Sequence, residues 1–208
     1  MLVVGLTGGV ASGKTAVSQI LREEGAYLID ADQIARELVQ PQTPAWRELR
    51  RVFGTEILRE DGSIDRKRLA AKVFSDPEQR KVLNQILHPR IRAEMNRRAK
   101  EIGQKDLDAI VVIDAALIVE TGHYKEMDRL IVVTSTEEQQ IERLRSREGA
   151  SEEEAQRILA SQIPLEDKLR LADFVIRNEG SFEETRRRAK EVFEELKRMA
   201  SQTQKLKH

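Results

Sequence analysis

GLTGGVASGKTAV, residues 5–17, follows the apolar stretch MLVV at the start of the chain and sets a run of glycines ahead of a lysine and a threonine. From Gly8 to Thr15 the spacing is G-x-x-x-x-G-K-T, the pattern in which successive backbone N–H groups line one concavity and wrap an anionic phosphate. Side chains would block that approach, hence the glycines. Lys14 supplies a mobile charge for the outer phosphates, and the Thr15 hydroxyl is a hard oxygen ligand suited to Mg²⁺. A glycine-rich turn between strand and helix would need residues tolerant of positive φ, but it has no use for Lys followed by Thr. The flanks agree with the phosphate-loop reading. LVVGLT (2–7) is an apolar run of strand length, and KTAVSQILREEG (14–25) has Ala16, Val17, Ile20 and Leu21 at helical spacing with Gly25 as a stop. Strand, loop and helix in that order predict a nucleoside triphosphate site.

The rest of the chain extends this start into an α/β pattern. Further apolar runs AYLID (26–30), AIVVIDAALIV (109–119), RLIVVTS (129–135) and DFVIRN (173–178) suit parallel strands covered on both faces. Helical patterns follow, with capping-box pairs at Thr136 and Gln139, Ser151 and Glu154, and Ser181 and Glu184. The expected architecture is therefore three-layered α/β. Between about residues 44 and 105 no strand candidate occurs, and IDRKRLAAKVF, DPEQRKVLNQILH and RIRAEMNRRAKEI read as three helices, the second opened by Asp76 and Pro77. This predicts a helical, acceptor-binding insertion in a single domain of residues 1–200, whose core is 1–43 and 106–200, with a lid over about 145–172 and an expendable tail at 201–208. The 36 Lys and Arg residues balance 36 Asp and Glu, so no global field favours nucleic acid or a membrane surface, and an anionic ligand must be held locally. There is no cysteine, no apolar run near the ~18 residues of a membrane span and no charged-then-apolar leader. A soluble cytoplasmic protein is the expectation; the residues leave its oligomeric state open.

Several acids and bases are candidates for chemistry. Asp30 and Asp32 fall at the end of the second expected strand, where open parallel sheets bind ligands. Asp32 reads either as a base for an attacking hydroxyl, with Arg36 holding the acceptor, or as a cap on the helix QIARELV. Asp114 ends a buried strand, so Mg²⁺, the loop lysine or another basic group must answer it. Arg143 and Arg147, four residues apart, share one helix face. They are either solvated and paired with glutamates or a clamp on the transferring phosphate, with Gln162, Lys168 and Arg170 as a flap that excludes water. HPRIR (88–92) is either a helix break with exposed arginines or an acceptor-phosphate site using His88 and Arg90. The histidines are not at metal-ligand spacing, which argues against zinc.

Together these residues resemble the dephospho-CoA kinase family over about residues 2–198. The likeness is carried by GLTGGVASGKT, DADQIARELV, DGSIDRKRLAAKVF with ILHPRI, the spacing of Asp114, Leu117 and Glu120, and ASQIPLEDKLRLADFVIRNEGS. The resemblance implies a three-layer phosphate-loop kinase fold with a five-stranded parallel sheet, a helical substrate lobe and a lid. It implies transfer of the ATP γ-phosphate to the ribose 3′-hydroxyl of dephospho-CoA, with Mg²⁺. On this view Gly8, Gly9, Ala11, Ser12, Gly13, Lys14, Thr15, Ala16 and Asn178 hold ATP, and Thr15 reaches the metal. Asp32, Arg36, His88, Arg90 and Asp114 meet the acceptor, and Lys14, Asp32, Arg143 and Arg147 serve catalysis. The chain departs from the family's usual pattern at Ala11, a glycine position, where alanine is a mild change if φ is negative. It departs again at Ala116 and Val119, where proline and an aromatic residue are usual, and this bears on acceptor contacts. The residues alone also admit another small-molecule kinase acting on a nucleoside or nucleotide, or a nucleotide-dependent switch. Against the switch, no N-K-x-D guanine motif is present.

Overall fold

β1 (Leu2–Gly8) is the middle strand of a five-stranded parallel sheet of order β2-β3-β1-β4-β5, in a computed structural model that describes residues 1–74 and 76–205, the side chains of Arg147, Glu148 and 203–205 excepted. After β1 come α1 (Lys14–Glu23), β2 (Tyr27–Asp30), α2 (Ala31–Leu38), α3 (Pro44–Phe53), α4 (Arg66–Phe74), α5 (Pro77–Lys105) and β3 (Ile110–Asp114). The chain continues through β4 (Arg129–Thr134), α6 (Glu137–Glu148), α7 (Glu152–Ala160), α8 (Leu165–Leu171), β5 (Phe174–Arg177) and α9 (Phe182–Lys205). β1 pairs with β3 on one side and β4 on the other. The loop after β1 thus leaves the sheet where strand order reverses, the position at which ligands bind in open α/β sheets.

Contacts divide the chain into two compact units, Met1–Ile29 with the chain from Ala99 onward, and Asp30–Arg98. In the first, alternate residues of β1 and the apolar stripes of α1 and α9 form one core. Val17, Ile20 and Leu21 of α1, and Ala189, Val192, Phe193, Leu196 and Ala200 of α9, stand at the three- and four-residue intervals that place side chains on one helix face. In the second, Trp46, Leu49, Phe53, Ile57, Leu69, Val73 and Ile86 make a separate core, and the Trp46 Nε1 donates to the Gly62 carbonyl at 2.8 Å. Val82, Leu83 and Leu87 pack on it from α5, as their spacing predicts. The second unit starts earlier than the expected insertion, because α2 follows β2 with no intervening loop, and its boundary falls inside α5 rather than after it.

Three expectations need correction. α5 is continuous, with Pro89 inside it, where sequence predicted a break after His88. Proline costs a helix one backbone bond, but Ile86 and Met95 on either side of it are buried, so packing carries the helix through. The apolar run 109–119 yields strand only to Asp114: Ala115 N–H donates to Leu6 O at 3.1 Å as the last rung of the β1–β3 ladder, and the following Ala116 carbonyl is turned to the Thr7 hydroxyl, from which it accepts at 3.0 Å. The tail is helical to Lys205, since α9 runs on through Ser201; residues 206–208 lie outside the described residues.

Candidate active site

The phosphate loop is the turn from Gly9 to Gly13 between β1 and α1. Among the described residues the backbone N–H groups of Ala11, Gly13, Lys14 and Thr15 find no acceptor, which leaves a row of donors at the N-terminus of α1, the arrangement that binds phosphate. Gly13 has φ 90°, and a Cβ there would lie 1.9 Å from the Asn178 amide nitrogen, so both backbone and neighbour exclude a side chain. Ala11 has φ 54°. The condition for a mild change there, a negative φ, is not met, and a left-handed backbone disfavours an L-residue with a Cβ.

Lys14 reaches across β1 to Asp114, whose side chain is only 8% exposed, and the two form an ion pair. The question of what answers the buried carboxylate is settled by the loop lysine. Register explains the meeting, since Asp114 lies opposite Leu6 and so just before the point where β1 gives way to the loop. The Thr15 hydroxyl is exposed and, among the described residues, makes no side-chain hydrogen bond. No group of three or more His, Cys, Asp or Glu side chains converges among the described residues. One hydroxyl with phosphate and water oxygens is a donor set that fits Mg²⁺, which keeps most of its water and needs few protein ligands.

Side chains from three later elements grip the loop's backbone. Arg143 donates from Nη1 to the Ala11 carbonyl at 3.0 Å and from Nη2 to the Asn178 carbonyl at 3.1 Å. The solvated-face alternative therefore fails for Arg143. Asn178 donates from Nδ2 to Ser12 O at 2.9 Å, and the buried Thr185 hydroxyl donates to its Oδ1 at 2.9 Å, which fixes the amide's orientation. Gln140 and Gln162 both reach Val10. The Arg147 side chain lies outside the described residues. Lys168, expected in a flap, is 2% exposed and pairs with Glu120 at 2.8 Å; it anchors α8 to the turn after β3. Gln140 and Thr185 were missed by sequence reasoning. Gln140 precedes Arg143 by one helical turn, and that shared face was the available signal.

In the second unit, Asp30 rather than Asp32 caps α2: its Oδ1 accepts from the N–H groups of Asp32 at 2.8 Å and Gln33 at 3.0 Å. The Asp32 carboxylate is exposed, and no donor reaches it among the described residues. Arg36 is exposed one turn along. His88 lines a surface groove of about 460 Å³ with Arg80, Lys81, Asn84 and Gln85, and partial burial holds its pKa below the ordinary 6.5. Arg90 is engaged, with Nη2 at 2.6 Å from Glu48.

A parallel sheet with strand order 2-3-1-4-5, and a glycine loop whose lysine meets an acid at the end of the adjoining strand, define a phosphate-loop kinase. The family model for CoaE, dephospho-CoA kinase, matches residues 2–184. The chain is 44% identical over 196 residues to a dephospho-CoA kinase of Corynebacterium glutamicum, covering 94% of this chain and 100% of that one. It is 48% identical over 185 residues to one of Bacillus cereus, covering 89% and 92%. The crystal structure of TT1252 from Thermus thermophilus superposes with a TM-score of 0.79 at 33% identity, covering 94% of this chain and 97% of that one. The chain belongs to the dephospho-CoA kinase family. No helix among the described residues is long and apolar enough to cross a membrane.

Proposed function

We propose that the chain transfers the γ-phosphoryl group of ATP to the ribose 3′-hydroxyl of dephospho-CoA, giving coenzyme A and ADP, in the cytoplasm. The observation that carries the chemistry is the Lys14–Asp114 pair beside a row of open backbone donors, in a chain of this family. The donors of Ala11, Gly13, Lys14 and Thr15 hold the phosphate oxygens, and Lys14, with donors to spare beyond Asp114, neutralises charge on the group in flight. Thr15, with the phosphates, would hold Mg²⁺, which would supply further charge neutralisation. Arg143 and Asn178 keep the loop in shape through its carbonyls.

Asp32 is assigned as the base. Asp30 is occupied by two N–H donors and Asp114 by an ammonium, whereas no donor among the described residues reaches the Asp32 carboxylate. It takes the 3′-hydroxyl proton as the new P–O bond forms and the bond to ADP breaks. Arg36, His88, Arg90 and Asp114 are assigned to the acceptor and Arg147 to the transferring phosphate, with the 145–172 region as a lid. The test is a panel of acceptors offered with ATP and Mg²⁺: dephospho-CoA, nucleosides and nucleoside monophosphates. Coenzyme A formation should exceed all other products; faster turnover of a nucleoside or nucleotide overturns the assignment.

A further inference from the structure

We propose that Gln140 and Gln162 are positioning residues that grip the two peptide groups of Val10, one at its carbonyl and one at its N–H, and so set the shape of the phosphate loop. This rests on the ATP-binding reading above. Gln140, on α6, donates from Nε2 to the Val10 carbonyl at 2.8 Å. Gln162, in the segment between α7 and α8, accepts the Val10 N–H on Oε1 at 3.0 Å. A carbonyl requires a nitrogen and an N–H requires an oxygen, so each amide has one useful orientation and the two have opposite roles. Val10 directly precedes Ala11, the residue with left-handed backbone, whose own carbonyl is taken by Arg143. Three side chains thus hold two successive residues, Val10 and Ala11, where the row of open phosphate donors begins.

Gly9 supplies a second, independent observation. The G-x-x-x-x-G-K-T pattern needs glycine at positions 8 and 13 but not at 9. Gly9 does not have positive φ, so its backbone would accept alanine. A Cβ at Gly9 would instead lie 2.6 Å from Gln140 Nε2 and 3.7 Å from Gln162 Oε1, and its nearest neighbours would be these two amides. Glycine at 9 makes room for the two glutamines. The Gln162 contact also ties the expected lid segment to the loop, so that ordering one favours the other. A loop held in its binding shape spares ATP the ordering cost.

Opposite hydrogen-bond roles permit a crossed test by calorimetric titration with ATP, with Tm measured alongside. Gln162→Glu keeps an acceptor and Gln140→Lys keeps a donor; both should bind ATP within about twofold of wild type. Gln162→Lys and Gln140→Glu reverse the roles, and should raise the Kd about five- to tenfold, the scale of one lost hydrogen bond. General attraction of ATP to positive charge gives a different pattern, with lysine better than glutamate at both positions; that outcome, or four variants alike, overturns the proposal. Should a role-reversed variant fail to fold, Gly9→Ala decides. Its methyl should push Gln140 off Val10 and weaken ATP binding in the wild-type background, and do so less in a Gln140→Ala background; equal penalties in both overturn the proposal. Absence of ATP binding by the wild-type chain would instead remove the nucleotide reading, and the proposal with it, whereas binding by wild type with no crossed pattern removes the positioning role alone.

Discussion

Replacing Ala11 by glycine changes one methyl group at a residue whose φ is 54°, and two opposing terms set the outcome. An L-residue in left-handed backbone costs roughly 1–2 kcal/mol that glycine does not pay. Against this, glycine gives the unfolded chain more freedom, worth about 0.4–1 kcal/mol. The strain term is the larger, so Ala11→Gly should stabilise by about 0.8 kcal/mol, midway in the difference of those ranges. For a cooperative transition of all 208 residues, a melting entropy of about 2.1 cal/mol/K per residue gives roughly 0.44 kcal/mol/K, and Tm should rise by about 2 °C. Differential scanning calorimetry resolves such a shift. Ala16→Gly is the control, since Ala16 sits in α1 with ordinary helical backbone, and there glycine should destabilise by about 0.5–1 kcal/mol. The same atoms are removed in both variants and only the backbone angle differs. If both lower Tm alike, Ala11 stores no strain, and the hold of Arg143 and the two glutamines on the loop does not maintain a disfavoured conformation.

Lys14→Gln keeps a donor for Asp114 but removes the charge, so phosphoryl transfer should fall at least about a hundredfold with circular dichroism unchanged. Asp32→Asn should leave Tm alone and cut turnover by ~10²–10⁴, while Asp30→Ala should lose about 1 kcal/mol of stability with the α2 cap; retention of full turnover in Asp32→Asn would return the base to Asp30 or Asp114. Arg143→Ala should raise the KM for ATP as well as lower kcat in steady-state assays, because its partners are carbonyls of the loop and of Asn178; an effect on kcat alone would restore a clamp acting only in the transition state. Hydrogen bonds from Arg97, reinforced by Arg98, lower the Glu94 pKa from 4.5 to about 2. The folded value lies below the unfolded one, so this stabilisation is complete above about pH 4.5 and lost as pH falls toward about 2. Urea titrations across that range should show Glu94→Gln with a shallower acid decline than wild type.

What was legible in the sequence was whatever is written in local spacing. The G-x-x-x-x-G-K-T loop, all five strands and the three capping boxes rest on contacts within a few residues, so each was placed to within a residue or two except where β3 ends. Most of the misses come from distant residues, and one from an element boundary that spacing does not fix. Pro89 reads locally as a break, yet buried neighbours keep α5 whole. DADQ offers two acids for one cap, and the strand's end point decides that Asp30 takes it, because β2 runs to Asp30 and α2 starts at Ala31. Lys168 looks like a surface charge among charges, but Glu120, far off in sequence, draws it to 2% exposure. The site divides the same way. The groups that bind phosphate sit together in one loop and were read from it, whereas the side chains that shape the loop come from α6, from the segment after α7 and from the residue following β5. Their targets are backbone carbonyls and an N–H, which every residue has. Such partners leave no complementary residue type to look for, and beyond a shared helix face the trace they leave in the sequence is the glycine that makes room for them, at Gly13 for Asn178 and at Gly9 for Gln140.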